Sequence, residues 1–125
     1  MACVLLIEDS ESDVRAISQA LRDAGYHSIL TAVDWSQCRH VLANNPPQLV
    51  VVDAHLHLPG MVTGEVLARQ IRKDPRAGRT KIVFYGSMDE RELADMARRN
   101  GVDSYVSKGD LRKLVQVAYQ LAPPV

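Results

Sequence analysis

The chain lacks most of the features that would place it outside the cell, in a membrane or on nucleic acid. It has two cysteines, Cys3 and Cys38, with no metal-ligand spacing and too few for a disulfide framework. Cys3 falls in a strand pattern and Cys38 on an apolar helix face, so both read as reduced core residues. Neither sign of charge is in excess: 15 Lys and Arg balance 15 Asp and Glu, which leaves no basic stripe for nucleic acid or a membrane surface. No apolar run approaches the ~20 residues of a membrane-spanning helix. The first residues enter a strand pattern at once, so no signal peptide is expected. Repeats, linkers and low-complexity tracts are missing as well. These absences predict one cytoplasmic domain over residues 1–125. What is present is an ordinary globular composition, 46% apolar and 24% charged, with enough length to bury a core unaided.

Short apolar runs alternate with helical patterns along the whole chain. Strands are expected near residues 2–7, 27–32, 48–53, 82–85 and 103–107, the second being only partly apolar. In the first helix Val14, Ile17, Leu21 and Ala24 share a face, Ser10 with Asp13 reads as a variant capping box, and Gly25 supplies the stop. Asp34 is placed to cap a short second helix carrying Cys38, Val41 and Leu42, which Asn44-Asn45-Pro46-Pro47 ends. A long loop leads to a third helix through Val66, Leu67 and Ile71 that stops near Asp74-Pro75. Ser87 with Glu90 forms a capping box for a fourth helix bearing Leu93, Met96 and Ala97, closed by Gly101. A fifth carries Leu111, Leu114, Val115 and Ala118 and ends at Pro123-Pro124. The pattern predicts an α/β fold: a doubly wound five-stranded parallel sheet in a flavodoxin-like three-layer α/β/α arrangement. Strand order 2-1-3-4-5 fits, with the switch point between strands 1 and 3.

Three of the runs end on charge. Glu8 and Asp9 follow Cys3-Val4-Leu5-Leu6-Ile7, Asp53 follows Leu49-Val50-Val51-Val52, and Lys108 follows Tyr105-Val106-Ser107. Ligands of parallel sheets gather beyond the carboxyl ends of the strands, so these three carboxylates and one ammonium converge on one edge. Carboxylates packed together repel and raise each other's pKa, which calls for a cation. Hard oxygen donors at that density suit Mg²⁺. An aspartate beside a divalent ion and a lysine is equipped to attack a phosphoryl group, because both cations stabilise charge on the transferring oxygens.

At this point the chain resembles a known family. Leu5-Leu6-Ile7-Glu8-Asp9-Ser10, Leu49-Val50-Val51-Val52-Asp53 and Gly101-Val102-Asp103-Ser104-Tyr105-Val106-Ser107-Lys108 are similar, in order and in spacing, to the receiver domain of bacterial two-component response regulators. The resemblance covers essentially the whole chain. It implies that Asp53 accepts a phosphoryl group from a sensor kinase histidine. It also implies a Mg²⁺ site of Glu8, Asp9, Asp53 and the backbone carbonyl of His55, with Asp9 rather than Glu8 the direct ligand of the pair. Lys108 would contact the phosphoryl oxygens or the unmodified carboxylate, and Tyr105 stands where the family has its reporter aromatic. The implied partners are a sensor histidine kinase or phosphotransfer protein and a downstream protein on the α4-β5-α5 face, that of the fourth helix, fifth strand and fifth helix. Direct binding to nucleic acid or membrane is not expected. Such a domain is a signalling module rather than an enzyme.

Three features depart from the family pattern. Gly86 falls where receivers carry Thr or Ser, whose hydroxyl bonds the phosphoryl oxygen, and Ser87 comes one residue late. Gly109 follows Lys108 where the family has a proline with a cis bond. The stretch from Asp53 to Gly64 is a few residues longer than the usual span from acceptor to glycine. These changes leave Mg²⁺ binding and phosphoacceptance in place and bear on the downstream switch. Two other function classes compete. One is a pseudo-receiver that docks partners without phosphorylation. The other is a small Mg²⁺-dependent phosphohydrolase, which needs a second acid near its nucleophile. The nearest candidates after Asp53 are His55 and His57. Those histidines also suggest a transition-metal site, but no further His or Cys pair completes a set, so a loop role is expected. Arg69, Arg72-Lys73 and Arg98-Arg99 read as solvated helix faces, and Trp35 and Tyr26 as packing residues.

Overall fold

The five apolar runs pair side by side as parallel strands, and the segments between them coil as helices. The computed structural model describes residues 2–58 and 62–125. Its strands are β1 (Cys3–Ile7), β2 (Ser28–Ala32), β3 (Leu49–Asp53), β4 (His57–Leu58), β5 (Val62–Thr63), β6 (Lys81–Gly86) and β7 (Ser104–Ser107). The five longer ones form a sheet in the order β2-β1-β3-β6-β7, which is the expected 2-1-3-4-5. Helices α1 (Glu11–Asp23), α2 (Trp35–Asn44), α3 (Gly64–Lys73), α4 (Glu90–Arg99) and α5 (Leu111–Leu121) connect them. Among the described residues no helix is long and apolar enough to cross a membrane.

Alternation along each strand sorts the side chains between two cores. Leu5, Ile7, Val50, Val52, Ile82 and Phe84 share one core with Leu42 of α2, Leu67 of α3 and Leu93 of α4. Val4, Leu6, Val51, Val83 and Val106 share the other with Ile17 of α1 and Leu114 of α5. Burial on both faces is why β1 and β3 read as unbroken apolar runs. At the edge, β2 needs only one covered face, and Leu30 is 41% exposed. Cys3 and Cys38 are buried and free, and burial pushes the Cys38 thiol up to about 12, well away from reactivity.

Helix starts follow capping chemistry, with two departures from expectation. Ser10 caps α1, its Oγ accepting from the Asp13 amide at 3.4 Å. The return half of the box is absent, because Glu8 Oε1 accepts from the Ser10 amide and the Asp13 carboxylate turns elsewhere. At α4 the cap is Asp89, accepting from Arg91 N, and Ser87 lies exposed before it. The chain leaves β6 at Gly86 and needs Ser87 and Met88 to turn, so the first residue able to cap is Asp89. The long loop after β3 is partly structured: β4 and β5 pair antiparallel, His57 opposite Thr63 and Leu58 opposite Val62. Its centre, Pro59-Gly60-Met61, lies outside the described residues. A 3₁₀ turn, Pro75–Ala77, follows α3 where a plain stop was expected, with Asp74 accepting from the Arg76 amide.

Candidate functional site

The charged strand ends meet where the sheet order reverses. β1 pairs with β2 on one side and β3 on the other, so the residues just past β1 and the last residue of β3 share a crevice. Glu8 is 4% and Asp53 5% exposed, whereas Asp9 is open to solvent. One oxygen from each of Glu8, Asp9 and Asp53 lies within 4.8 Å of the others. Ligands on opposite sides of an octahedral Mg²⁺ stand about 4.2 Å apart, twice the ~2.1 Å metal–oxygen distance. Oxygens at this spacing can hold one ion among them, directly or through a water. Glu8 Oε2 is buried with no hydrogen-bond partner among the described residues, a donor atom left open for a cation. Burial pushes the Glu8 carboxyl up to about 7; the Ser10 amide and Lys108 pull it down, while the charges of Asp53 and Asp13 push it further up.

Lys108 follows β7, and its backbone amide donates to Gly86 O at 2.8 Å. Its ammonium stands 3.5 Å from Asp53 Oδ1 and 3.4 Å from Glu8 Oε2, and donates a hydrogen bond to Asp13 Oδ2 at 3.0 Å. Burial alone would lower its pKa, but the Asp13 hydrogen bond and the charges of Asp53, Glu8 and Asp13 outweigh it and hold the group cationic. Asp53 Oδ1 also accepts from the amide of His55 at 3.0 Å, which anchors the segment whose carbonyl was expected to join the metal. The His55 side chain is exposed. The metal-competent group among the described residues contains no histidine, and the side chain of His57, the other half of the transition-metal alternative, lies outside them. Behind Asp53, Gly64 opens α3 so close that an added Cβ would lie 2.2 Å from the Asp53 carbonyl oxygen. Only a hydrogen fits.

The β6 side is built differently. Gly86 is buried, and an added Cβ would lie 2.8 Å from Ala54 Cβ and 3.2 Å from Leu93 Cδ1. The space a hydroxyl-bearing side chain would occupy is thus filled by Ala54. Ser87 is exposed, one residue beyond the strand. Tyr105 is half-buried and packs with Met88, Met96 and Val102 against the core shared by α4. Past Lys108, Gly109 takes φ +95, and no cis bond occurs among the described residues. Its amide, a donor that proline lacks, donates to the Tyr85 hydroxyl at 2.9 Å. Burial raises the Tyr85 pKa, so the phenol stays neutral.

Asp13, Tyr85 and Ala54 are the site residues that sequence reasoning passed over. Asp13 was absorbed into a cap, although it stands one helical turn beyond the acid pair. Tyr85 was signalled by alternation, since it shares parity with Val83 and reaches the α1–α5 side. The cleft beside Glu8 and Asp9, about 390 Å³ and lined also by Val14, Arg15 and Val33, opens at this edge. A larger one of about 580 Å³, lined by Pro47, Arg76 and Arg79, lies at the opposite ends of β3 and β6, away from every converging carboxylate. Charge convergence, not cleft size, locates the chemistry.

The family model for the response regulator receiver domain matches residues 4–119. The chain belongs to that family. Among curated relatives, the gliding motility regulatory protein of Myxococcus xanthus is 30% identical over 86% of this chain, which spans 13% of that protein's length. The chemotaxis protein CheY of Pseudomonas aeruginosa is 29% identical, covering 84% of this chain and 82% of its own. Two solved structures share the fold. Vibrio cholerae chemotaxis protein CheY4 superposes with a TM-score of 0.82 at 23% identity, covering 97% of this chain and 98% of that one. The receiver domain of a Pseudomonas aeruginosa sensor histidine kinase, described with a magnesium ion coordinated in its active site cleft, superposes at 0.80 with 19% identity over 96% of each chain.

Proposed function

We propose that this receiver domain is cytoplasmic and takes a phosphoryl group onto Asp53 from the phosphohistidine of a sensor kinase or phosphotransfer protein. The observation that carries this is the buried Asp53 carboxylate at a strand end, flanked by Glu8 and Asp9 on one side and Lys108 on the other. An Asp53 carboxylate oxygen attacks phosphorus, and the P–N bond breaks with its electron pair returning to the donor imidazole. Lys108 meets the negative oxygens of the group in flight. Glu8, Asp9 and Asp53 would hold Mg²⁺, completed by the His55 carbonyl, with Glu8 acting through water. Bound there, magnesium supplies charge neutralisation for the approaching anion. Hydrophobic walls from Val52 and Ala54 keep Asp53 fixed while its carboxylate faces the crevice. The module is a signal carrier, not an enzyme with turnover.

Incubation with Mg²⁺ and acetyl phosphate, followed by intact mass measurement, tests this reading. Wild type should gain one phosphoryl mass and Asp53→Asn none. Equal labelling of both proteins refutes the assignment, and steady hydrolysis of phosphate esters would move the protein to the phosphohydrolase class.

One observation favours a second reading for the output. Gly86 offers no hydroxyl to the phosphoryl group and its neighbourhood is filled by Ala54. A ligand shifts an equilibrium only through its differential interaction with the two states. Phosphorylation of Asp53 should then rearrange Tyr105 and α4 only slightly, and a downstream protein would read the α4–β7–α5 face in much the same form with or without it. Amide shifts with and without a phosphoryl mimic decide between the two. A large rearrangement around Tyr105, unaffected by Ser87→Ala, rules out the muted switch.

A further inference from the structure

Lys108 is not closest to the aspartate it is expected to serve. Its ammonium lies 3.0 Å from Asp13 Oδ2, against 3.4 Å to Glu8 Oε2 and 3.5 Å to Asp53 Oδ1. The hydrogen bond it donates goes to Asp13. Asp13 is held there by its place in the first turn of α1, where Ser10 Oγ accepts from its amide and the helix terminus favours negative charge. The backbone of Lys108 is fixed as well, through its amide on Gly86 O and the Gly109 amide on Tyr85. Only the side chain is free to choose a partner. A charge-assisted hydrogen bond at 3.0 Å outweighs an ion pair without one at 3.5 Å.

We propose that Asp13 is a positioning residue that parks Lys108 against α1, and that a phosphoryl group on Asp53 draws Lys108 off Asp13. The proposal rests on Asp53 being the acceptor. Its consequence is competition. The interaction that a phosphoryl oxygen gains from Lys108 is one that Asp13 gives up, so the two are coupled with opposite sign. Once released, the Asp13 carboxylate is left unpaired beside an added anion, which acts in the same direction. Asp13 therefore weakens anion binding at Asp53. Glu8 does not take over this role, because its Oε2 lies near Lys108 without accepting from it.

Titrating the full chain with beryllofluoride in saturating Mg²⁺ tests the idea, with Asp13→Asn compared to wild type. Asparagine keeps the shape and the helix position while removing the charge. Affinity should rise about three- to ten-fold, the size expected of a charged hydrogen bond discounted for the partial exposure of Asp13. The side-chain Cε and Nζ resonances of Lys108 supply a second readout. In free Asp13→Asn they should already stand displaced toward their position in beryllofluoride-bound wild type. Asp13→Ser, which also suits a first helical turn, should repeat both effects. Equal or weaker binding by the variants overturns the proposal, as does tighter binding with unmoved Lys108 resonances. Binding to neither wild type nor variant would instead strike the reading of Asp53 itself, and the inference with it.

Discussion

The two sides of the sheet's carboxyl edge are built on opposite principles. Around β1 and β3, the carboxylates of Glu8, Asp13 and Asp53 face one ammonium with Asp9 beside them, a buried oxygen lacks a hydrogen-bond partner among the described residues, and charge is left for something to balance. Around the end of β6, Ala54 and Leu93 fill the space beside Gly86 and no charge is involved. One side is incomplete until an ion or anion arrives; the other is complete already. Under the proposed function, capturing a phosphoryl group and responding to it are therefore separate properties of the edge, the first more fully equipped than the second.

The contrast can be broken from the β3 side by Gly64→Ala. Its Cβ would lie 2.2 Å from a backbone oxygen of Asp53 and 3.1 Å from Val52 Cγ1, so β3 or α3 must move. Overpacking usually costs about 1–3 kcal/mol, and a backbone neighbour that cannot rotate away puts this case at about 3 kcal/mol or more. Chemical denaturation should show a large drop in midpoint. A change below about 0.5 kcal/mol would mean that α3 is not locked onto β3.

On the β6 side, Gly86→Ala meets a side chain rather than backbone. The expected loss is about 1–3 kcal/mol, and Ala54→Gly in the same chain should recover most of it. Additive losses in the double variant would show that the two residues do not compete for one space. With Ala54→Gly in place, Gly86→Ser becomes the way to return a hydroxyl to the edge, and the response of Tyr105 amide shifts to beryllofluoride should grow. Gly86 has no positive φ, so the obstacle there is space and not backbone conformation.

These two glycines also mark how far the sequence could be read. The acid-ended strands were visible because each depends on local pattern, an apolar run and a charged terminus, while Gly64 was marked only through the family resemblance, as the end of the span that starts at Asp53. The meeting of Glu8, Asp9 and Asp53 followed from strand order alone. The Ala54–Gly86 contact was hidden, since it depends on how the turn after β3 folds against β6, where Ala54 N donates to Tyr85 O. Asp13 was hidden for a different reason. A residue three beyond a serine fits a capping box, and nothing local announces that its carboxylate will instead meet a lysine 95 positions away. The Ser87 cap failed because strand β6 and the following turn fix where α4 starts. The insertion after Asp53 was legible as extra length, not as the ribbon of β4 and β5.

Tyr85→Phe sharpens the comparison where the two sides touch. The hydroxyl holds the Gly109 amide and with it the loop that carries Lys108. Gly109 is exposed, so water can replace the phenol, and the net loss should be about 0.5–1.5 kcal/mol. Hydrogen exchange at Gly109 should speed up by at most about ten-fold, matching that loss. An unchanged rate would mean that the positive-φ glycine is held by the chain on either side rather than by Tyr85.

The smallest expected effect concerns the acidic side alone and requires no phosphoryl chemistry. Without metal, burial raises the Glu8 carboxyl from its ordinary 4.5 to about 7, the Asp53 charge adding to the shift. Between those two values the folded chain binds a proton that the unfolded chain releases. Stability contributed by neutral Glu8 is thus fully present below about pH 4.5 and declines as pH rises to about 7, where the buried group must ionise. Other groups contribute to the raw pH profile, so it is not diagnostic. The difference between wild type and Glu8→Gln is. Denaturation midpoints in metal chelator should fall more steeply for wild type than for Glu8→Gln between pH 5 and pH 7.5. Magnesium should flatten that difference, since an ion beside Glu8 favours the ionised carboxylate and binds the folded chain alone. Parallel profiles in chelator would show that Glu8 is already satisfied without metal. The acidic side would then be as complete as the β6 side, and the contrast between them would fail.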